Sequence, residues 1–433
     1  MPCDHNSHKV INDIKEKLFS TNFLSESRKG KKDFTRKRKL PFVSLVLVIL
    51  HLGKASMQRE LDKFFKVLGG VQEITAGALT HARKKLLPGV FLILNKTLLD
   101  SFYKPGPSHT KKVIQRILGV DGSRIDLPDT KEIVNEFGRA NKQTDAKPQG
   151  LASALFDLVN KLAIDVSLNP CCASESHIAI DHTEHVGDGD LLIFDRGYKC
   201  TWLMAAILMK EADFLIRLPK NAFKEVSTFI ESKDTDIIVT LHHSNNAANT
   251  CSYFGIDTAP LKVRLIKVFL DSGETEILIS SLFNQRIYNY SIFKDLYHLR
   301  WGIEEEYKTI KTAMEVESFT GQSVHAVYQE FYASIFLSNL QSVITNESDI
   351  QEEIENISLR RKYDYQINRT SALSFLKETI VSLFRLESFD KIIRYIKSKA
   401  IKNILPIRPG RKFDRKFPIS KPKKYMHNRR ALA

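Results

Sequence analysis

Through the first hundred residues apolar positions recur at helical spacing. Val10, Ile11, Ile14 and Leu18 share one face, and Leu61, Phe64, Phe65 and Leu68 share another, the repeat of a helix with one buried side. The run 41–53, PFVSLVLVILHLG, is apolar almost throughout. It is shorter than the ~20 residues of a membrane span and reads as a buried helix. Gly69-Gly70 breaks the pattern. Thr75 is a candidate N-cap for TAGALTHARKKLL, whose Arg83, Lys84 and Lys85 suit either a DNA-contacting helix or a solvated face. After the turn-rich Pro105-Gly106-Pro107-Ser108 the period changes. Runs 117–120 and 191–194 are short, apolar and each followed by an aspartate, which places Asp121 and Asp195 at strand ends. Two stretches within 151–168 could pair as strands, and 214–218, 237–241, 263–270 and 276–282 show strand alternation or β-branched enrichment. From His325, HAVYQEFYASIFLSNL is a strongly apolar helix; further helices run to about residue 400. The prolines at 406, 409, 418 and 422 predict an extended arm. The pattern is that of an α/β chain with helical N-terminal and C-terminal regions, divided at 1–105, 106–345 and 346–433, with a β-rich block at about 214–288.

Composition changes this picture only through charge. The chain has 433 residues, 43% hydrophobic and 27% charged, as in globular proteins. The formal charge of +15 is concentrated: segment 28–39 carries eight basic residues against Asp33, and 408–430 carries ten against Asp414. Two basic segments flanking a near-neutral body predict a polyanion partner, and nucleic acid is the commonest. Five cysteines, with no CxxC pair, predict reduced thiols in a cytoplasmic protein. No secretion signal is recognisable at the N-terminus, and no membrane partner is expected.

Candidate chemistry centres on 297–311, YHLRWGIEEEYKTIK. As one continuous helix it sets Tyr297, Arg300, Glu304 and Lys311 on a stripe roughly 60° wide, with Trp301 and Lys308 beside it. An ordinary core stripe would be apolar. Glu305 and Glu306 fall about 100° and 200° away from Glu304, which leaves Glu304 as the acid of the stripe. Asp121 and Asp195 each have glycine close behind, which permits close approach of backbone and substrate. Taken singly, Asp121-Gly122 suits a turn, Asp195-Arg196 a surface ion pair, and the three glutamates a solvated helix face. The order Asp, Asp, Glu beside a basic stripe points instead to a hard-oxygen site for Mg²⁺ or Mn²⁺. Such a site, with two ions, serves in-line displacement at a phosphodiester. Tyr297, Arg300, Lys308 and Lys311 are then candidate contacts to DNA phosphates.

At these residues the chain resembles the insertion sequence family 4 transposases, cut-and-paste enzymes of bacteria and archaea with a DDE triad. The resemblance rests on Tyr297-x2-Arg300-x3-Glu304-x6-Lys311, joined to VDGSRIDLPDT around Asp121, GDLLIFDRGYKC around Asp195, and FLIRLPK at Phe214. It implies a ribonuclease H-like catalytic domain with a β-rich insertion, behind a helical DNA-binding domain at 1–105. It further implies that Asp121, Asp195 and Glu304 are catalytic and hold the metal. Double-stranded DNA would be the partner, both terminal inverted repeats and target, with a homodimer pairing the ends at the nucleoid. Water would cut at the element ends, and the freed 3′-hydroxyls would attack the target. The alternatives are a DNA-binding protein that keeps the fold without catalysis, and a ribonuclease H-like nuclease without strand transfer.

Overall fold

The computed structural model describes residues 7–408 apart from 37, 54, 71–73, 105–113, 140–145, 271–272, 310, 312–316 and 386–388. The turn-rich segment at 105–108 and the proposed arm beyond 408 lie outside the described residues. Two compact units are present: one combines 1–105, 125–149 and 308–433, the other 106–124 and 150–307.

The second unit is built on an eight-stranded sheet, to which the first unit contributes only the outermost residues of two strands. In chain order the strands are β1 (Ile117–Asp126), β2 (Gln149–Asp157), β3 (Leu162–Pro170), β4 (Leu191–Phe194), β5 (Asp213–Leu218), β6 (Asp236–Leu241), β7 (Leu261–Phe269) and β8 (Thr275–Ser280). Their spatial order is β3-β2-β1-β4-β5-β8-β7-β6. β2 and β3 pair antiparallel, as the two stretches in 151–168 suggest. β4 pairs parallel with both β1 and β5. All four residues of β4 are buried, as expected of a strand covered on both faces. The segment after β5 adds β8, β7 and β6 antiparallel to the same sheet. Arg264 of β7, fully buried, pairs through Nε and Nη2 with both Asp236 oxygens and donates to the Leu282 and Tyr288 carbonyls.

The four strands expected between 214 and 282 are therefore present. Two helices within that block, Lys224–Glu231 and Asn245–Phe254, are not among the expected elements; the first has a one-sided apolar face that buries Val226 and Phe229. In NNAANTCSYF only Cys251 is buried, and the helix relies on its Ser244 cap and on Gly255 in the left-handed region. A second difference concerns β1: it runs on to Asp126, so Asp121 sits mid-strand and not at the strand end.

The first unit is helical. Phe42–His51 is the buried helix expected from 41–53, and Thr75 caps Ala76–Arg83 by accepting from the Ala78 amide. The long helix Val324–Thr345 packs against Val90–Phe102, Phe42–His51 and Arg369–Arg385, so that N-terminal and C-terminal helices share one core. Arg83 belongs to that core. It is buried and donates to Gln329, Glu330 and Thr320 side chains and to the Ala326 carbonyl, which removes it from the candidate DNA contacts. Among the described residues no helix is long and apolar enough to cross a membrane, and the four described cysteines are free.

Candidate active site

The parallel pairing of β1 with β4 aligns Ile117, Leu118 and Gly119 with Leu191, Leu192 and Ile193. Carried two residues further, that register would bring Asp121 level with Asp195, which directly follows β4. β4 has ended at Phe194 by then, while β1 continues beside β2. Both aspartates thus sit where the parallel pair opens. Each is held locally: Asp121 Oδ1 accepts from the Gly122 amide at 2.9 Å. Asp195 Oδ1 caps the short turn Arg196–Tyr198 by accepting from the Gly197 amide at 2.8 Å.

Glu304 arrives from a helix that differs from the expectation. The segment 297–311 is not one continuous helix. One helix, Ile292–His298, ends at Tyr297-His298, and a second, Trp301–Lys308, carries Glu304. Across the join the amides of Arg300, Gly302 and Ile303 bond to carbonyls three residues back. A tightened turn of that kind rotates about 120° per residue, so the stripe drawn at 100° per residue does not hold across it. Tyr297, Arg300 and Glu304 are brought together by packing all the same. Arg300 Nη2 donates to Glu304 Oε1 at 2.8 Å. Its guanidinium lies 5.9 Å from the Tyr297 ring centre and 4.9 Å from that of Trp301. Lys308 is the exposed last residue of the second helix and Lys311 follows half-buried. Both belong to the helical unit.

Asp195 and Glu304 both bear on Asp121. Burial pushes the Asp121 carboxyl up to about 7; the charges of Asp195 and Glu304 push the same way, against the Gly122 amide and Arg300. Tyr307 closes the arrangement from below: its hydroxyl donates to the Asp121 carbonyl at 2.9 Å and approaches that of Ala152 at 3.2 Å. It thereby ties the helix of Glu304 to β1 and β2. Tyr307 was not singled out from the sequence, although its position four residues after Ile303 puts both on the buried face.

Beside the acids lies a cleft of about 380 Å³ lined by Arg217, Glu276, Lys294, Tyr297, Arg300 and Trp301, among others. Trp301 is 45% exposed there. The Tyr297 hydroxyl and Arg300 Nε are buried without a hydrogen-bond partner among the described residues. Burial is the main cause that raises the Tyr297 phenol to about 12. Polar groups are rarely left so, and a donor pair of this type matches a phosphate. Arg217, paired with Glu276 at 2.9 Å, is a cation of this cleft that sequence reasoning passed over. Its signal was a lone charge inside the apolar strand FLIRL. The other tryptophan, Trp202, is packed against Phe254 and His177.

Among the described residues no three or more Asp, Glu, His or Cys side chains are gathered as tightly as metal ligands. The carboxylates are instead engaged with amides and with Arg300. Their chemistry nonetheless fits a divalent cation: all three are hard oxygen donors, and the charges of Asp195 and Glu304 oppose ionisation of Asp121, a repulsion that a cation would relieve.

Residues 114–340 match the transposase DDE domain family. The chain is 25% identical over 317 residues to the transposase InsG for insertion sequence element IS4 of Escherichia coli (strain K12), covering 70% of each protein. A solved structure, a piggyBac transposase synaptic complex with hairpin DNA, is a distant likeness at TM-score 0.46 and 11% identity, covering 93% of this chain and 87% of that one. With one aspartate in β1, the other directly after β4, a glutamate whose charge bears on the first and more than half the chain matched, the protein belongs to the DDE transposases, of the insertion sequence family 4 type.

Proposed function

We propose that this transposase binds the ends of its element, hydrolyses the phosphodiester there, and joins the freed 3′-hydroxyls to target DNA. The observation that carries the reading is Asp121 in β1 and Asp195 directly after its parallel neighbour β4, with the charges of Asp195 and Glu304 both opposing ionisation of Asp121. The strand order β3-β2-β1-β4-β5, with a hairpin on one side of β1 and parallel strands on the other, supports a ribonuclease H-like catalytic domain. In this reading the insertion expected at about 214–288 starts only after β5, which pairs parallel with β4, and comprises β6–β8; the domains run 1–105, 106–345 and 346–433.

Asp121, Asp195 and Glu304 would hold Mg²⁺ or Mn²⁺. A pair of such ions activates an attacking oxygen and stabilises a leaving one. Asp121, whose ionisation is opposed by burial and by the charges of Asp195 and Glu304, would gain from a cation. Arg300 and Glu304 neutralise each other in the metal-free protein. Glu304 would be a ligand of the cation, and Arg300, its present partner, could then pair with a phosphate through two parallel hydrogen bonds. Tyr297, with its unpartnered hydroxyl, and the cations Lys308 and Lys311 complete the grip on the terminal strand. The helical unit contributes a second DNA surface. A cleft of about 960 Å³ is lined by Lys32, Arg36, Arg38, Lys39, His81 and Lys85, with Asp33 as its acid. A homodimer would pair two ends, in the cytoplasm and at the nucleoid of a bacterial or archaeal host.

The test is nicking of duplex DNA bearing the element ends by purified protein with Mg²⁺. Asp121→Asn should abolish nicking while DNA binding survives. Loss of binding in that variant would assign Asp121 a structural role, and nicking that persists without divalent metal would overturn the reading.

A further inference from the structure

A fourth acid stands at the site, outside the family signature. Glu175 opens the helix Glu175–His182, where Ser174 caps the first turn. A carboxylate at that position ordinarily needs no more explanation than the helix dipole. This one leans over the chain next to Asp121: a methyl group on Gly122 would stand 2.9 Å from the Glu175 carboxyl carbon and 3.1 Å from its Oε1. Burial and then the charge of Asp195 raise the Glu175 carboxyl, with Arg124 opposing. An independent observation points to a ligand between these groups. Tyr198 is only 1% exposed, and its buried hydroxyl has no hydrogen-bond partner among the described residues. The charges that bear on it are those of Glu175, Asp121 and Asp195. A buried donor thus lies within electrostatic reach of three carboxylates, and none of them accepts from it. Something that draws the acids inward would satisfy it.

We propose that Glu175 is a fourth carboxylate of the cation site, acting on a divalent ion held by Asp121 and Asp195 either directly or through one water, with the Tyr198 hydroxyl as its hydrogen-bond donor. The inference rests on the function proposed above. It also explains Gly122: any side chain there would displace the Glu175 carboxylate, and only the end of a flexible side chain would have to move.

The test is Mn²⁺ titration of the full-length protein, followed by electron paramagnetic resonance without DNA, so that the readout is binding and not activity. Asp121→Asn should lose the bound Mn²⁺. Glu175→Gln should weaken it roughly tenfold, within the range for groups that support metal ligands. Gly122→Ala should weaken it in the same direction with an unchanged melting temperature. Glu305→Gln should bind as wild type does. Glu175→Gln and Gly122→Ala within twofold of wild type, with Asp121→Asn defective, would overturn this inference alone. Wild-type binding by Asp121→Asn would overturn the site itself.

Discussion

Replacing Asp121 by Asn should stabilise the metal-free protein, in a manner set by pH. The Asp121 carboxyl rises from an ordinary 3.8 to about 7 in the folded chain. The folded state therefore holds a proton between about pH 4 and 7 that the unfolded chain has released, and stability falls as pH rises through that window. Each pH unit of separation corresponds to about 1.4 kcal/mol, so the full cost above pH 7 is at most about 4 kcal/mol; relaxation of the neighbours reduces it. Asn resembles the protonated acid and carries none of this cost. Urea unfolding in EDTA, followed by tryptophan fluorescence, should show wild type and Asp121→Asn nearly equal at pH 4. By pH 8 the variant should be the more stable by about 2–4 kcal/mol. Mg²⁺ at pH 8 should stabilise wild type and not the variant, because it binds the folded site. An equal difference at pH 4 and pH 8, or a wild type more stable than the variant at pH 8 in EDTA, would refute the claim that like charges and burial crowd Asp121.

Tyr307→Phe removes the hydroxyl that ties the Glu304 helix to β1. It should cost about 1–2 kcal/mol in urea unfolding, and cleavage should fall more than DNA binding does. Glu330→Ala leaves Arg83 buried without its 2.9 Å partner and should cost about 3–5 kcal/mol, seen as a large drop in melting temperature. Converting Lys32, Arg36, Arg38 and Lys39 together to Ala should reduce the slope of log affinity against log salt, by about 0.9 for each phosphate that is no longer neutralised. Removal of 408–433 should flatten that slope as well, and an unchanged slope in either case would take that segment off the DNA.

The elements that sequence patterning revealed are those with their own one-sided apolar repeat: the helix at 42–51, the hairpin of β2 and β3, and the strands of the inserted block. What it missed depends on partners distant in the chain. β1 outlasts its apolar run because β2 continues to pair with it, so strand length around Asp121 is set by a neighbour. The tightened turn at Arg300 arises where Tyr297, Arg300 and Trp301 stack, a packing effect with no local breaker beyond Gly302. Arg83 looked like a surface cation, since nothing near it in sequence announces Glu330. The candidate acids stood out because Asp121 and Asp195 follow apolar runs and Glu304 sits in a distinctive spacing. Glu175 was not, because a single glutamate at a helix start is ordinary until the fold sets it against Gly122.

Joining, more than cutting, separates a transposase from a nuclease with the same acids. The most direct measurement supplies a duplex with a precut 3′-hydroxyl element end, plasmid target DNA, Mg²⁺ and purified protein, and looks for covalently joined product. Wild type should join the end to the plasmid and Asp195→Asn should not. Cleavage of intact ends with no joined product from the precut end would contradict the proposed strand transfer.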